Sequence, residues 1–156
     1  MQVSCIIPTR NRRDMVIMAI ESALAQDECQ PEIVVVNDGS TDGTERSILK
    51  RFPEVKLMST PGLGPVLARN EGAIAAKGGV LMFLDSDDKW LPLHVKSLMQ
   101  LVQKGFHVAY GVTMTRDLLF QKEFFIPERG EEASGYCFDS LTKWRPLKKV
   151  SISAHY

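Results

Sequence analysis

The chain has 156 residues, of which 44% are hydrophobic and 24% charged, a composition typical of one folded domain and not of a disordered chain. Its 19 basic residues are balanced by 19 acidic ones, so no overall positive field attracts nucleic acid, which is not expected as a partner. The three cysteines form no Cys-x-x-Cys pair, which favours a reducing compartment over a disulfide framework. No apolar run approaches the roughly 18 residues that span a bilayer.

Short apolar runs alternate with helical patterns over the first ninety residues. Strands are predicted over residues 3–7, 33–36, 55–59 and 80–84. Helices are predicted between them, over 14–26, over a segment ending at Arg51, and over 66–76. This alternation predicts an α/β fold, a three-layer α/β/α sandwich with a mostly parallel sheet. Ligand loops gather beyond the carboxyl ends of such strands, here residues 8–11, 37–44 and 85–88.

The pattern changes after Trp90. A helix over 92–104 and a strand over 108–114 are predicted first. The remaining predictions are an extended antiparallel element within 118–134, a short helix over 138–144 and a final strand over 150–154. We find no linker and no internal repeat, so residues 1–156 are predicted to form a single domain.

An acidic cluster, Asp85-Ser86-Asp87-Asp88, directly follows the apolar run 80–84. Burying a carboxylate without a partner is costly, so three carboxylates at the end of a buried strand favour a bound cation. Oxygen ligands alone suit Mg²⁺ or Mn²⁺ better than zinc. The alternative is a solvated turn whose aspartates cap the next helix.

Four ordered segments resemble family 2 of the inverting nucleotide-sugar glycosyltransferases. They cover about the first 95 residues and are 3–11, 32–44, 68–72 and 83–92. The resemblance implies the nucleotide-diphospho-sugar transferase fold (GT-A, Rossmann-like). It further implies that residues 1–95 form the nucleotide-sugar binding half and that residues 96–156 begin the acceptor half.

By this resemblance, the protein transfers a sugar from a nucleotide-diphosphate donor, a UDP-sugar, to a glycan, lipid or protein acceptor. The family's Asp-x-Asp motif falls on Asp85, Ser86 and Asp87, with Asp87 binding the metal and Asp85 contacting the ribose or a metal-bound water. A divalent cation, Mn²⁺ or Mg²⁺, stabilises the charge that develops on the departing diphosphate.

The same resemblance implies further donor-binding residues. Asp38 accepts a hydrogen bond from the imide N–H of uracil, which suits a carboxylate that only accepts, although a plain turn aspartate is the alternative. Pro8, Thr9 and Asn11 belong to a loop around the base and ribose, with a helix cap as the alternative for Asn11. Arg69 lies near the base and phosphates, or else forms a surface salt bridge.

Arg10, Arg12 and Arg13 form a basic cluster that could face phosphate. A solvated helix start is the more frequent arrangement for such a cluster. These three arginines are therefore left outside the predicted site.

Two other enzyme classes share parts of this pattern. Gly62 and Gly64 superficially suggest a dinucleotide-binding fingerprint, but Leu67 replaces the third glycine and Pro65 lacks an amide donor. A phosphohydrolase also presents Asp-x-Asp after a strand, but its nucleophile would more naturally follow the first strand than the fourth. Neither class is favoured.

An inverting transferase needs a general base, and we identify none in the sequence. Glu131, Glu132, Asp139 and His155 are weak candidates. The chain is therefore expected to be a fragment of a larger enzyme, with a naturally short homologue as the alternative. A nucleotide-sugar binding module without turnover is the competing function.

The resemblance also bears on where the protein acts. A role in cell-surface polysaccharide biosynthesis is expected. The expected location is the cytoplasm, or the membrane periphery through a missing segment or a partner.

Overall fold

A computed structural model describes residues 1–109, 113–117, 122–126 and 149–152. The helices are α1 (Arg13–Leu24), α2 (Thr44–Arg51), α3 (Pro65–Ala75) and α4 (His94–Gln103). The strands are β1 (Val3–Thr9), β2 (Glu32–Asp38), β3 (Lys56–Thr60), β4 (Val80–Phe83), β5 (Val108–Ala109), β6 (Thr113–Asp117), β7 (Lys122–Ile126) and β8 (Lys149–Ile152). Among the described helices, none is long and apolar enough to cross a bilayer.

Six strands form one sheet in the order β3-β2-β1-β4-β8-β5, and every neighbouring pair in it is parallel. The register places Ile6 opposite Val34 on one side and Phe83 on the other. The chain runs from β1 to β2 and β3 on one side, and then returns to place β4 on the other side of β1. The loops that follow β1 and β4 therefore lead in opposite directions, which opens a crevice between them. A separate antiparallel pair, β6-β7, falls partly within the predicted antiparallel region. The predicted α/β architecture with a parallel sheet is confirmed.

The central strands β1, β2 and β4 are buried on both faces, which explains their continuous apolar sequences. Alternate residues of a strand point to opposite faces, so Cys5 and Ile7 pack with α1 and α4 in the larger core cluster. Ile6 and Val34 pack in the smaller cluster, which contains Ala73 of α3. Each face therefore receives its own layer of helix.

Gly72 allows helix α3 to lie closer to the sheet than a side chain at this position would permit. A Cβ at this position would lie 2.5 Å from Cγ2 of Ile6 and 3.0 Å from Cγ2 of Val36. Pro65 begins the helix, where its missing amide breaks no helical hydrogen bond. Arg69 lies three residues before Gly72 on the same helix face. The close approach at Gly72 therefore sets the distance of Arg69 from the sheet.

The segment that follows the acidic cluster is fastened to the end of α1. The buried Gln26 side chain donates to the carbonyl of Leu91 at 2.9 Å and accepts from the N–H of Val95 at 3.0 Å. The N–H of Trp90 donates to Oγ of Ser22 at 3.1 Å. Residues 85–88 are thus held between β4 on one side and this anchored segment on the other.

Two boundaries near the site differ from prediction. Residues 8 and 9 belong to β1 and not to a loop, and residues 37 and 38 belong to β2. The carbonyl of Ile6 accepts from the N–H of Leu84, so the backbone polar groups of Ile6, and two residues later those of Pro8, face β4. The register of β1 with β4 ends at Phe83, so the missing amide of Pro8 costs no ladder hydrogen bond. Pairing with a neighbouring strand extends β1 beyond the point at which proline was expected to stop it.

The later predictions have mixed outcomes. The strand predicted over 108–114 is two strands, β5 and β6, with residues 110–112 outside the described part. The final strand begins at Lys149, and residues 153 and 154 are not described. The helix predicted over 138–144 lies wholly outside the described residues. The division at residue 95 stays a prediction.

Candidate functional site

The loops after β1 and β2 are joined by Asn11. Its backbone N–H donates to Oγ of Ser40 at 2.9 Å, and its Oδ1 accepts from the N–H of Thr41 at 2.8 Å. Asn11 has φ 51°, in the left-handed region that asparagine tolerates better than most residues. Two of the three predicted ligand loops are therefore in direct contact.

Asp42 connects the starts of two helices. Its Oδ1 accepts from the N–H of Thr44 and its Oδ2 from the N–H of Arg13, both at 3.1 Å. The hydrogen bond from the Thr44 side chain, with these backbone donors, lowers the pKa of the Asp42 carboxyl despite partial desolvation. Asp42 thus stays ionised and holds the amino ends of α1 and α2 together.

Asp38 is buried and binds the segment that leads into α3. Its Oδ1 accepts from Oγ1 of Thr60 and from the N–H of Leu63, both at 2.6 Å, and its Oδ2 accepts from the N–H of Gly64 at 2.8 Å. Burial raises the pKa of Asp38, but these hydrogen bonds and the charge of Arg10 outweigh burial and lower it. The carboxylate therefore remains charged beside the predicted nucleobase position, a role that stays a prediction.

The loop between β3 and α3 approaches this carboxylate closely. Gly62 and Gly64 both have φ +88°, which disfavours any side chain. A Cβ on Gly62 would lie 3.4 Å from Nη1 of Arg10, so this guanidinium rests against the loop. The N–H groups of Leu63 and Gly64 donate to Asp38. Gly62 and Gly64 thus allow the backbone conformation that directs these N–H groups at Asp38, a local role unrelated to dinucleotide binding.

Each aspartate of the Asp-x-Asp motif is paired with an arginine. Asp85 forms an ion pair with Arg69 of α3, and both side chains are about one-third exposed, at 32%. Oδ1 of Asp87 lies 2.7 Å from Nη1 of Arg12, with the two side chains 44% and 46% exposed. Ser86 is buried. The two carboxylates are thus neutralised from different sides, one by α3 and one by the start of α1.

The motif suits a cation that is shared with a ligand. Among the described residues, no group of three or more histidine, cysteine, aspartate or glutamate side chains is close enough to hold a metal. Mg²⁺ and similar ions commonly use only one or two carboxylates, with phosphate oxygens and water completing the shell. Asp85 and Asp87 supply hard oxygen donors of this kind. They fit a cation on a diphosphate and do not form a protein-only cage.

Pro8 and Thr9, the last two residues of the predicted donor site, are less accessible to a ligand than their predicted position in a loop implies. Pro8 and Thr9 are both buried in β1. Within the described part of the chain, Oγ1 of Thr9 is buried and has no hydrogen-bond partner. Their predicted contact with the base or ribose would require a local opening of this edge, and that contact stays a prediction.

An open cavity of about 590 Å³ lies beside Asp87 on the α1 side. It is lined by Asn11, Arg12, Arg13, Asp14, Met15, Asp42 and Asp87. Sequence reasoning left out Arg12 and did not single out Asp42. The concentration of arginines at the start of α1 was the available signal for Arg12, whereas Asp42 was one of several turn residues and carried no signal of its own.

Comparison with known proteins gives a consistent picture. Residues 4–147 match the family model described as glycosyl transferase family 2. A chondroitin synthase of Pasteurella multocida is 34% identical over 157 aligned positions, covering 99% of this chain and 15% of that protein. An uncharacterized glycosyltransferase of Rickettsia felis is 43% identical over 89 residues, covering 56% of this chain and 15% of that protein.

A solved structure extends the comparison to the fold. The structure of Staphylococcus aureus TarS residues 1–349 in complex with UDP-GlcNAc superimposes with a TM-score of 0.62 at 28% identity, covering 72% of this chain and 35% of that one. A likeness of this extent confirms the predicted GT-A fold. In eight similar curated proteins, the matched region spans between 14% and 36% of the length of each protein.

Proposed function

Because this chain belongs to glycosyl transferase family 2, we propose that it binds a nucleoside-diphosphate sugar at the carboxyl ends of β1, β2 and β4 and takes part in transferring the sugar to an acceptor. The observation that carries the proposal is the grouping of Asp38, Arg69, Asp85 and Asp87 at one end of the parallel sheet. This end is where ligands bind in open α/β sheets.

The donor is proposed to be a UDP-sugar. Asp38 is ionised and acceptor-only, and it therefore complements the imide N–H of uracil. The binding of UDP-GlcNAc by TarS, which shares this fold, supports a uridine donor. The sugar and the acceptor, whether glycan, lipid or protein, are left open by these residues.

The diphosphate is proposed to lie over Asp85 and Asp87. A divalent cation at these carboxylates would supply positive charge to the diphosphate as it departs. Arg69 would place a second positive charge at the same end, from a helix that packs closely on the sheet at Gly72. An inverting displacement needs in addition a base that deprotonates the acceptor, and no described residue is assigned to that role.

Donor binding without transfer by this chain alone is the second candidate function. It is favoured by the pairing of both motif carboxylates with arginines, which leaves neither of them unpaired to act as a base toward an acceptor. The two candidates share the donor site and differ in turnover. Measuring UDP release from UDP-sugars, with and without mixed acceptors, separates them.

Calorimetry with UDP in the presence and absence of Mn²⁺ tests the shared donor site. We expect Mn²⁺ to tighten UDP binding by about tenfold or more, because Asp85 and Asp87 would hold the ion and the ion would supply positive charge to the diphosphate. Asp87→Ala should abolish this metal dependence. Asp14→Ala, which removes an exposed carboxylate from the wall of the same cavity, is the matched control and should keep it.

Two results would contradict these assignments. Unchanged metal-stimulated binding in Asp87→Ala would overturn the metal assignment. Wild-type protein that binds no UDP, with or without Mn²⁺, would overturn the proposed donor site altogether.

A further inference from the structure

Arg12 occupies the position next to Asp87 where a cation is proposed to bind. Its Nη1 lies 2.7 Å from Oδ1 of Asp87 at the edge of the 590 Å³ cavity. Both side chains are close to half exposed, at 46% and 44%, so the pair is accessible to ligands from solvent. The described structure therefore presents this carboxylate already neutralised by the protein's own guanidinium.

The backbone around Arg12 is held firmly, which confines any movement to the side chain. The carbonyl of Arg12 accepts from the N–H of Val16 at 2.9 Å, at the first turn of α1. The next N–H, that of Arg13, donates to Asp42, and the preceding Asn11 is bound to the loop after β2. The Arg12 side chain can thus change rotamer and move its guanidinium while its Cα stays in place beside the Asp-x-Asp motif.

A guanidinium and a divalent cation repel each other at the same carboxylate oxygen. Exposed ion pairs are weak, and opening one costs a factor of at most about five in an equilibrium constant. A cation that binds Asp87 is therefore expected to displace the Arg12 guanidinium, because breaking this ion pair costs less than holding both positive charges at one carboxylate. The displaced guanidinium remains within a side chain's length of the motif, where it can form paired hydrogen bonds to phosphate oxygens.

We propose that Arg12 is a nucleotide-binding residue with two alternative partners. It pairs with Asp87 in the free protein, and with a diphosphate oxygen of the nucleotide once a divalent cation has taken Asp87. The exchange rests on the proposed function, since it requires both ligands at this site. Arg12 competes with the metal and cooperates with the nucleotide. Its removal therefore moves the two affinities in opposite directions, whereas a purely structural residue would lower both or neither.

The test compares Arg12→Ala and Arg12→Lys with Arg13→Ala in the full chain. Arg13 lines the same cavity but pairs with the exposed Asp14, so it is the matched control. Mn²⁺ binding without nucleotide is followed by the paramagnetic resonance signal of free Mn²⁺. UDP binding is measured by calorimetry at saturating Mn²⁺, the condition in which the ion has displaced Arg12 from Asp87.

For Arg12→Ala we expect Mn²⁺ to bind about two- to fivefold more tightly, the factor contributed by an exposed ion pair. At saturating Mn²⁺, UDP should bind about five- to tenfold more weakly, because a charge-assisted hydrogen bond from Arg12 to phosphate is lost. Arg12→Lys should lie between wild type and Arg12→Ala, since lysine keeps the charge without the planar fork. Arg13→Ala should remain within about twofold of wild type in both measurements, because its exposed pair contributes little.

Unchanged affinities in Arg12→Ala, or a loss of Mn²⁺ affinity, would overturn the exchange while leaving the donor site intact. A wild-type protein that binds neither Mn²⁺ nor UDP would overturn the proposed function as well. Circular dichroism of all three variants identifies any loss of fold, and Arg12→Lys keeps the test decisive if Arg12→Ala does not fold.

Discussion

Asp38 shows how one side chain can serve both the fold and the proposed site. It is buried at the end of β2 and accepts hydrogen bonds from Thr60, Leu63 and Gly64. These donors belong to the segment that leads into α3, which carries Arg69. A carboxylate with several donors is stable in its charged form even when buried, so Asp38 can remain an anion at the position proposed to receive the nucleobase.

Replacing Asp38 by asparagine keeps its size and changes only its hydrogen bonding. The amide NH₂ would face a backbone N–H, leaving a buried donor without a partner. We expect the free energy of unfolding to fall by about 1–3 kcal/mol, as is typical of such losses. UDP binding should weaken by about tenfold, the effect of losing roughly one hydrogen bond to a charged group. Urea titration and calorimetry measure the two effects.

Thr60→Val provides the matched control, because it removes one donor to Asp38 and keeps the carboxylate. It should cost about 1 kcal/mol of stability and leave UDP binding within about twofold of wild type. An Asp38→Asn protein with wild-type stability would contradict the anchoring role. Loss of UDP affinity in both variants would mean that loop position, and not the carboxylate, determines binding.

At the scale of elements, α3 matters most because it connects the core to the motif. Its inner face contacts β1 and β2 through Gly72, and three residues earlier Arg69 pairs with Asp85. The helix has little room to move toward or away from the sheet, since protein interiors are closely packed. The distance between Arg69 and the motif is therefore set by the packing beneath the helix.

Gly72→Ala should test this packing. The added methyl would lie 2.5 Å from Cγ2 of Ile6, which requires either the helix or the sheet to shift. We expect a loss of about 1–3 kcal/mol in the free energy of unfolding, as for other overpacked cores, despite the better helix propensity of alanine. Chemical denaturation provides the measurement.

Gly79→Ala is the control, because a Cβ there meets nothing closer than 3.7 Å, at Met1. It should leave stability within about 0.5 kcal/mol of wild type, as is usual for surface positions. A Gly72→Ala protein as stable as wild type would contradict the close approach of α3 to the sheet.

At the scale of the whole molecule, the opposite end of the sheet is closed by a network around Glu32. Its carboxylate accepts from the hydroxyl of Ser4 and from the N–H of Lys77, and Oγ of Ser4 accepts from the N–H of Gly78 at 2.8 Å. The network ties β1, β2 and the turn before β4 together. It lies away from the proposed site and contributes to the stability of the fold as a whole.

This network should make stability depend on pH. Burial raises the pKa of Glu32, but the hydrogen bonds from Ser4 and Lys77 outweigh burial and lower it below the ordinary value of 4.5. The folded state therefore binds fewer protons than the unfolded state, and the stabilisation is present above pH 4.5 and lost as the pH falls through the folded pKa. Glu32→Gln should be less stable than wild type by about 1 kcal/mol at pH 7.

The difference between wild type and Glu32→Gln should shrink as the pH is lowered below 4.5, measured by urea unfolding from pH 7 to pH 3. Glu54→Gln, at an exposed position, should follow wild type throughout. A constant difference between wild type and Glu32→Gln at every pH would contradict the lowered pKa of Glu32.

The extent of agreement between sequence and structure depended on the range of the interactions involved. The alternation of apolar strands and amphipathic helices up to Trp90 predicted the parallel α/β sheet, because burial and backbone hydrogen bonding impose local periodicities. The exact end of β1 was not predicted, because Pro8 and Thr9 become part of a strand only through neighbouring β2. The local pattern of apolar residues thus predicted the presence of the strands and helices more accurately than the residues at which they end.

The amino-acid sequence by itself determined the fold class, the family resemblance and the position of Asp85 and Asp87 at the end of β4, since all three depend on the order of short local motifs. Only the tertiary structure decided which partners these motifs meet. The pairs Arg12–Asp87 and Arg69–Asp85, and the binding of Asp38 to the loop before α3, join residues 16 to 75 positions apart in the chain. Such contacts depend on how loops converge over a folded sheet, which no local pattern of residues encodes.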